Sequence, residues 1–269
     1  MDDDARENPK HSEQGREPSS LFSLIGAEAR NLVQARFACF VLISLIPLSV
    51  LFSLIGLRNI AAESHSDPAL NTGRLLQAQG GFVWFGCVLA AFAGVLSISG
   101  THRLRWRESS AADGDRWWLT ATARSIVLAV TAGALGLMSS ILAAIAPLTV
   151  SGPLEPGAAW RVVATALGTA TGWAVHAVLA LCIAAVIGHA LLSSVAVFTL
   201  IRFLPTLAVS VPALGWMRGG LPSEAAMALV SPLPGPSAWS CLLVLLLWLV
   251  LGVGAWALRL HRQWLSHQT

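Results

Sequence analysis

Charge is what this chain has least of. Only 12% of its 269 residues are Asp, Glu, Lys or Arg, while 55% are apolar. A soluble domain carries about a quarter charged residues, so this balance belongs to a bilayer protein. Lysine is nearly missing: Lys10, in a polar N-terminal stretch, is the only one. A Walker A loop needs a Gly-Lys pair, so the chain does not itself bind ATP through such a loop. The HExxH, GxSxG and CxxC motifs are all lacking, which removes three common catalytic or metal-binding signatures. Cys39, Cys87, Cys182 and Cys241 each stand alone in an apolar run and read as small hydrophobes. No acid lies in the middle of a long apolar run, which argues against a carrier that moves protons on buried carboxylates. Short alternating strands are missing as well, and that excludes an outer-membrane barrel.

What is present is hydrophobic length. Six runs, Phe37–Leu57, Gly80–Ser99, Ala123–Pro147, Val162–Ile187, Ala190–Val211 and Ala238–Leu258, can each cross about 30 Å of hydrocarbon. Backbone groups in lipid must be paired within the segment, so the runs are expected to be helices. The expected fold is an all-α, polytopic membrane protein with six transmembrane helices. Its basic residues divide unevenly. Twelve fall on one side of such a topology, in the N-terminal segment, in the connection after the second run and in the C-terminal tail. Four, Arg58, Arg74, Arg161 and Arg218, fall on the other, and Arg202 lies inside the fifth run. The positive-inside bias then puts both termini in the cytoplasm. The net charge of +3 expresses this topology and implies no nucleic-acid partner. Arginine outnumbers lysine sixteen to one, which reads as the coding bias of a GC-rich bacterium and places the chain in a bacterial inner membrane.

Residues 1–19 are polar and acidic at the start, as in a disordered cytoplasmic tail, and the first apolar run is too long for a cleavable signal. Residues 20–262 form the expected membrane domain, and 263–269 a second short tail. Within 20–36, Leu21, Phe22, Ile25, Ala29, Leu32 and Val33 share one helical arc, with Ser23, Glu28, Arg30, Asn31 and Gln34 opposite. That pattern predicts an amphipathic helix lying in the membrane interface. The plainer reading is a juxtamembrane extension of the first span.

One charged island interrupts the apolar runs. "SISGTHRLRWRESSAADGDRWWLTATARS", Ser97–Ser125, holds five arginines, three acids and three tryptophans. The order of parts is an interfacial helix, two spans, this basic connection, three closely spaced spans, a Pro/Gly-rich segment and a last span. In that order, and in "VIGHALLSSVAVFTLIRFLPTLAVSVPALGWM" and "GGLPSEAAMALVSPLPGPSAWSCLLVLLLWLVLGVGAWALRLHR", the chain resembles the permease subunit of ABC-2-type transporters, across about residues 20–262. After "GVLSISGTHRLRWR", where that family has a basic Gly-Thr-containing loop, this chain carries the acidic "AADGDRWW". The resemblance implies an exporter subunit without its own ATPase or cofactor. It implies a separate cytoplasmic ABC ATPase that binds ATP and Mg, and a second permease chain as partner, most simply a homodimer.

Under that resemblance Arg103, Arg105, Arg107 and Glu108 are the candidates for docking the ATPase. The competing reading is that the arginines enforce topology and touch anionic lipid. A non-transporting membrane anchor or sensor and a secondary transporter are the alternative functions. The latter usually shows inverted repeats, and none is evident between residues 37–147 and 162–258.

Three further features stand out. Gly168 and Gly172 form a Gly-xxx-Gly pair that exposes backbone for close helix contact, either within the chain or between two copies. The segment Pro212–Ser237 is rich in proline and glycine, yet Ser223–Val230 reads as a short helix with Ser223 as N-cap and Glu224 in its first turn. Short re-entrant or interfacial helices, with Leu221, Pro222 and Glu224 at a gate and Trp216 and Trp239 at the interface, compete there with a plain loop. Arg202 lies mid-span, where a cation costs about 2.5–3.5 kcal/mol, with Pro205 expected to bend the helix beside it. It either lines a pathway, meeting hydroxyls such as Ser193, Ser194 and Thr199 because no acid lies at its depth, or snorkels to headgroups.

Overall fold

The computed structural model describes residues 21–34, 67–98, 117–150, 153–231 and 237–266, with short runs and single positions between 40 and 58. The described chain is helical. Its elements are α1 (Leu21–Gln34), α2 (Pro68–Gly80), α3 (Val83–Ile98), α4 (Trp117–Val150) and α5 (Ala158–Ile187). Then come α6 (Ala190–Phe198), a π turn (Thr199–Phe203), α7 (Leu204–Ser210), a 3-10 helix (Pro212–Gly220), α8 (Pro222–Val230) and α9 (Ala238–Ser266). Among the described residues five stretches are long and apolar enough to cross a membrane: Pro68–Ile98, Trp118–Thr149, Ala158–Ile187, Ala190–Ser210 and Ala238–Arg259. This is the make-up of a multi-pass helical membrane protein. The expected first span, Phe37–Leu57, lies largely outside the described residues.

α5 is the centre of the bundle and packs against α2, α3, α4, α6, α8 and α9. Its Trp173 is fully buried. The indole donates to the Val83 carbonyl at 3.2 Å and meets Phe82 edge-on at 5.7 Å. Two glycines make room for it. A Cβ on Gly86 of α3 would run into the indole, and one on Gly136 of α4 would come within 3.2 Å of it. About two turns further along α3, Gly94 faces the Ala177 carbonyl so closely that a Cβ would overlap it. α3 and α5 therefore touch backbone to backbone. α5 ends at Gly188, whose φ of 73° is a left-handed cap, and His189 opens α6 at once. The two helices are joined by a tight turn.

The second span departs from expectation. It begins at Pro68, not near Gly80, because α2 runs into α3 through a two-residue turn at Gly81–Phe82. Asp67 caps the start, accepting from the Ala69 N–H at 2.9 Å, with Pro68 preset in the first turn. "PALNTGRLLQAQG" is too polar for a span by hydropathy, and its polar groups are used in packing. Gln79 is fully buried and donates to Ser140 Oγ and to the Val162 carbonyl, both at 3.0 Å. Asn71 donates to the Pro153 carbonyl at 3.2 Å, and Thr72 Oγ1 accepts from the Glu155 N–H at 3.0 Å.

α1 is the expected amphipathic helix, but it packs with a different face. Glu28, assigned to the polar arc, is buried against α4, and Phe22 and Val33, assigned to the apolar arc, are exposed. The reason is Arg124. This arginine is buried in α4, and its Nε donates to Glu28 Oε2 at 2.9 Å. A buried cation requires a partner, so the carboxylate sets the rotation of α1: Leu21, Ile25 and Leu32 stay half-buried while the Phe22 and Val33 edge of the apolar arc turns outward.

Two outcomes are expected. Gly94→Ala lowers the stability of the detergent-solubilised chain by about 1–3 kcal/mol through overpacking, whereas Gly254→Ala, with nothing within 4 Å of its Cβ, leaves the melting temperature unchanged. Glu28→Ala costs about 3–5 kcal/mol by stranding Arg124, and the double change Glu28→Leu with Arg124→Met recovers most of it, as read by thermal unfolding.

Candidate functional site

The segment after α7 turns back into the bundle. α8 buries Pro222, Ser223, Ala225, Ala226 and Val230. It lies on the Gly168/Gly172 face of α5: a Cβ on Gly168 would stand 3.0 Å from Val230 and 3.1 Å from the Leu229 carbonyl, and one on Gly172 3.1 Å from Ala226. At 1.5 Å per residue these glycines lie about 15–21 Å down α5 from Ala158. The Gly-xxx-Gly face is thus occupied within the chain. On the opposite side, Trp248 of α9 donates its indole N–H to the Gly220 carbonyl at 2.7 Å, again about 15 Å from the start of that helix. Arg218 Nε donates to Glu224 Oε2 at 2.8 Å across the corner between the 3-10 helix and α8. Residues 212–230 therefore form an inserted hairpin of two short helices, while Trp216 and Trp239 stay exposed.

α8 begins one residue before the expected Ser223. Leu221 is its N-cap, without a side-chain cap bond, and Pro222 occupies the first turn. Proline is preset for that position, so it draws the helix start forward and carries Ser223 inside. The Ser223 hydroxyl is buried there and has no hydrogen-bond partner among the described residues.

Arg202 sits in the π turn between α6 and α7. The Leu204 N–H reaches back to the Thr199 carbonyl, a five-residue step, just ahead of Pro205. Proline at 205 cannot donate to Ile201 and crowds that carbonyl, and the wider turn absorbs the mismatch. The guanidinium lies 4.2 Å over the Trp84 ring of α3. This contact takes the place of the expected hydroxyls; Ser193, for one, donates to the His189 carbonyl instead. An acid does share the surroundings of Arg202, contrary to expectation. Glu224, expected at a gate outside the spans, lines the same spaces as Arg202 because the helix that carries it is inserted.

Those spaces are two adjoining cavities. The smaller, about 240 Å³, is bounded by Trp84, Arg202, Pro205, Ser223, Glu224 and Met227 among others. The wider, about 880 Å³, opens past Arg218, Gly219, Ala228, Cys241 and Val244. Of the residues proposed from sequence, Arg202, Pro205 and Glu224 come together here, and Leu221 and Pro222 are buried at the start of α8. Trp84, Arg218, Ser223 and Met227 were missed as lining residues. The one available signal was the Arg218–Glu224 pair spanning Gly219–Gly220, opposite charges brought together by a corner. Arg103, Arg105, Arg107 and Glu108 lie outside the described residues. Among the described residues no three His, Cys, Asp or Glu side chains gather as a metal centre. The arrangement is suited to binding: a cation on an aromatic face, a buried hydroxyl at a helix start, and apolar walls.

No protein-family model, no curated protein and no solved structure matches the chain.

The latches on the hairpin can be measured. With a cysteine placed at Gly219 in a cysteine-free background, Trp248→Phe removes the bond to Gly220 and raises the labelling rate by a soluble maleimide about fivefold, the worth of one hydrogen bond.

Proposed function

We propose that this chain is the membrane-spanning permease subunit of an ATP-driven ABC exporter, working with a separate cytoplasmic ATPase and a second permease chain. The observation that carries the reading is the inserted hairpin. It borders a charged cavity within the transmembrane bundle, beside the arginine-bearing π turn, and a pure anchor has no use for such a space. With the termini and the island on the cytoplasmic side, this cavity belongs to the outer half of the membrane. The buried Arg124–Glu28 pair supports the coupling side of the proposal. It ties α1 to the segment of α4 that emerges from the island, so a push on that connection is transmitted to a rigid helix pair. Neither carboxylates nor a Gly-Lys loop are required of this chain, since ATP and Mg reside in the partner.

The test begins with the genes beside this chain: a soluble P-loop ATPase is expected there, and it is co-expressed with the chain. The two proteins are expected to co-purify as a complex holding two permease chains by native mass spectrometry, with ATP turnover raised several-fold over the ATPase alone. Replacing Arg103, Arg105 and Arg107 together by Gln is expected to abolish co-purification without lowering the melting temperature. A permease that purifies alone and leaves the ATPase unstimulated overturns the proposal.

A further inference from the structure

We infer that the cavity between Arg202 and α8 binds the anionic head of an amphiphile. The inference names a ligand class for the site proposed above, but it stands on local geometry and does not need the ATPase.

Charge is the first observation. Among the described residues the ion pairs are Arg124–Glu28, Arg161–Glu155 and Arg218–Glu224. Arg202 belongs to none of them. The one acid lining its cavity is already held by Arg218, so the site carries one cation over. An arginine midway along a span is expensive in lipid, and a contact with the face of Trp84 uses up none of the guanidinium's N–H donors. Direction is the second. α8 starts at this cavity, so the positive end of its dipole adds to the field of Arg202. Third is Ser223, 3% exposed on the cavity wall, whose enclosed hydroxyl has no partner among the described residues, so that a ligand oxygen reaching it gains a donor. Apolar parts of the remaining wall supply the tail's environment, Pro205, Val209 and Met227 near the head and Ala228, Cys241 and Val244 in the wider space, interspersed with the hydroxyls of Thr206, Ser210, Ser231 and Ser240. A neutral amphiphile leaves Arg202 and Ser223 unmatched. A polyanion finds a single spare cation and a repelling Glu224. One negative charge on an apolar chain satisfies both halves.

Binding is measured on the full chain in phosphatidylcholine nanodiscs, with a laurate analogue carrying a chain diazirine and the corresponding alcohol as probes, and the crosslinks mapped by mass spectrometry. The acid is expected to label the peptides holding Trp84 and Met227 at least about tenfold more than the alcohol, the scale of a charge-assisted hydrogen bond. Arg202→Gln is expected to remove that preference, Arg202→Lys to keep most of it, and Ser223→Ala to weaken it about fivefold. Arg161→Gln, outside the cavity, leaves it unchanged. Competition identifies the source: displacement by phosphatidylglycerol in the disc marks a bilayer lipid, displacement by dodecyl phosphate alone marks a small amphiphile, and both uphold an anionic-head site. Equal labelling by acid and alcohol, or undiminished acid labelling in an Arg202→Gln variant of normal melting temperature, overturns the inference. A chain that binds the acid but never associates with an ATPase overturns the exporter and leaves this site intact.

Discussion

Helices in a bilayer gain little by burying leucine against leucine, because the lipid tails they displace are equally apolar. Their association depends on how closely the backbones approach. In this protein that approach is made at α5. Trp173 fills the space left by Gly86 and Gly136, and Gly94 lies on the Ala177 carbonyl, so α3, α4 and α5 are fixed by shape. The contrast along the chain follows. In α5 61% of the most apolar stretch is buried, against 17% in α9, which makes α5 the internal post and α9 a wall facing outward.

The small face of α5 that remains is what admits α8. Gly168 and Gly172 let the Leu229 carbonyl and Ala226 lie against them, and no larger residue fits at either place without displacement. Bringing a loop to this depth exposes backbone that lipid cannot satisfy. The hairpin settles its own account with three bonds: Gly220 accepts from Trp248, Leu221 donates to the Arg218 carbonyl at 3.3 Å, and Ala225 donates to the Leu221 carbonyl at 3.1 Å. Arg202 is accommodated by the same device. The space beside the hairpin gives its guanidinium an aromatic face and an aqueous outlet, which offsets the cost of a cation at mid-span. Site and fold thus share one cause, a helix wedged where only glycine leaves room.

Much of this was legible in the chain itself. Helices α4, α5, α6–α7 and α9 follow the apolar runs because each run is long, and punctuation such as Gly188 separates neighbours. The short helix near 222–230 was visible because Glu224–Val230 is helix-forming sequence amid proline and glycine. Other features were hidden for identifiable reasons. α2 is amphipathic and polar, so no apolar window finds it, and its role rests on hydrogen bonds from Asn71, Thr72 and Gln79 to partners more than sixty residues away. Glu28 was placed on the solvent side of α1 because helical periodicity cannot know that Arg124, far along the chain, is buried opposite. The meeting of Glu224 with Arg202 was hidden because hydropathy counts a residue outside the spans as outside the bundle. Each of these depends on a contact distant in sequence.

The walls raise a last physical point. Leu243, Leu247, Val250 and Leu251 of α9, and Leu192, Val195 and Phe203 along α6 to α7, are all exposed. On a soluble protein such a surface demands a partner, since water would be in contact with it. In a bilayer it demands nothing, because the acyl chains meet these side chains as well as another helix does. The exposed leucines are therefore no argument for a second chain. The site makes a different demand. The wider cavity is bounded by Arg218 and Gly219 of the 3-10 helix, in which no residue is buried, and by Ser240, Cys241 and Val244 of α9. Exposed backbone and an arginine at this depth are stable only beside water or protein, so whatever completes this wall must be polar on that side. Arg218 and Glu224 at this wall therefore admit water, protein or a charged head group, and they exclude bare acyl chains.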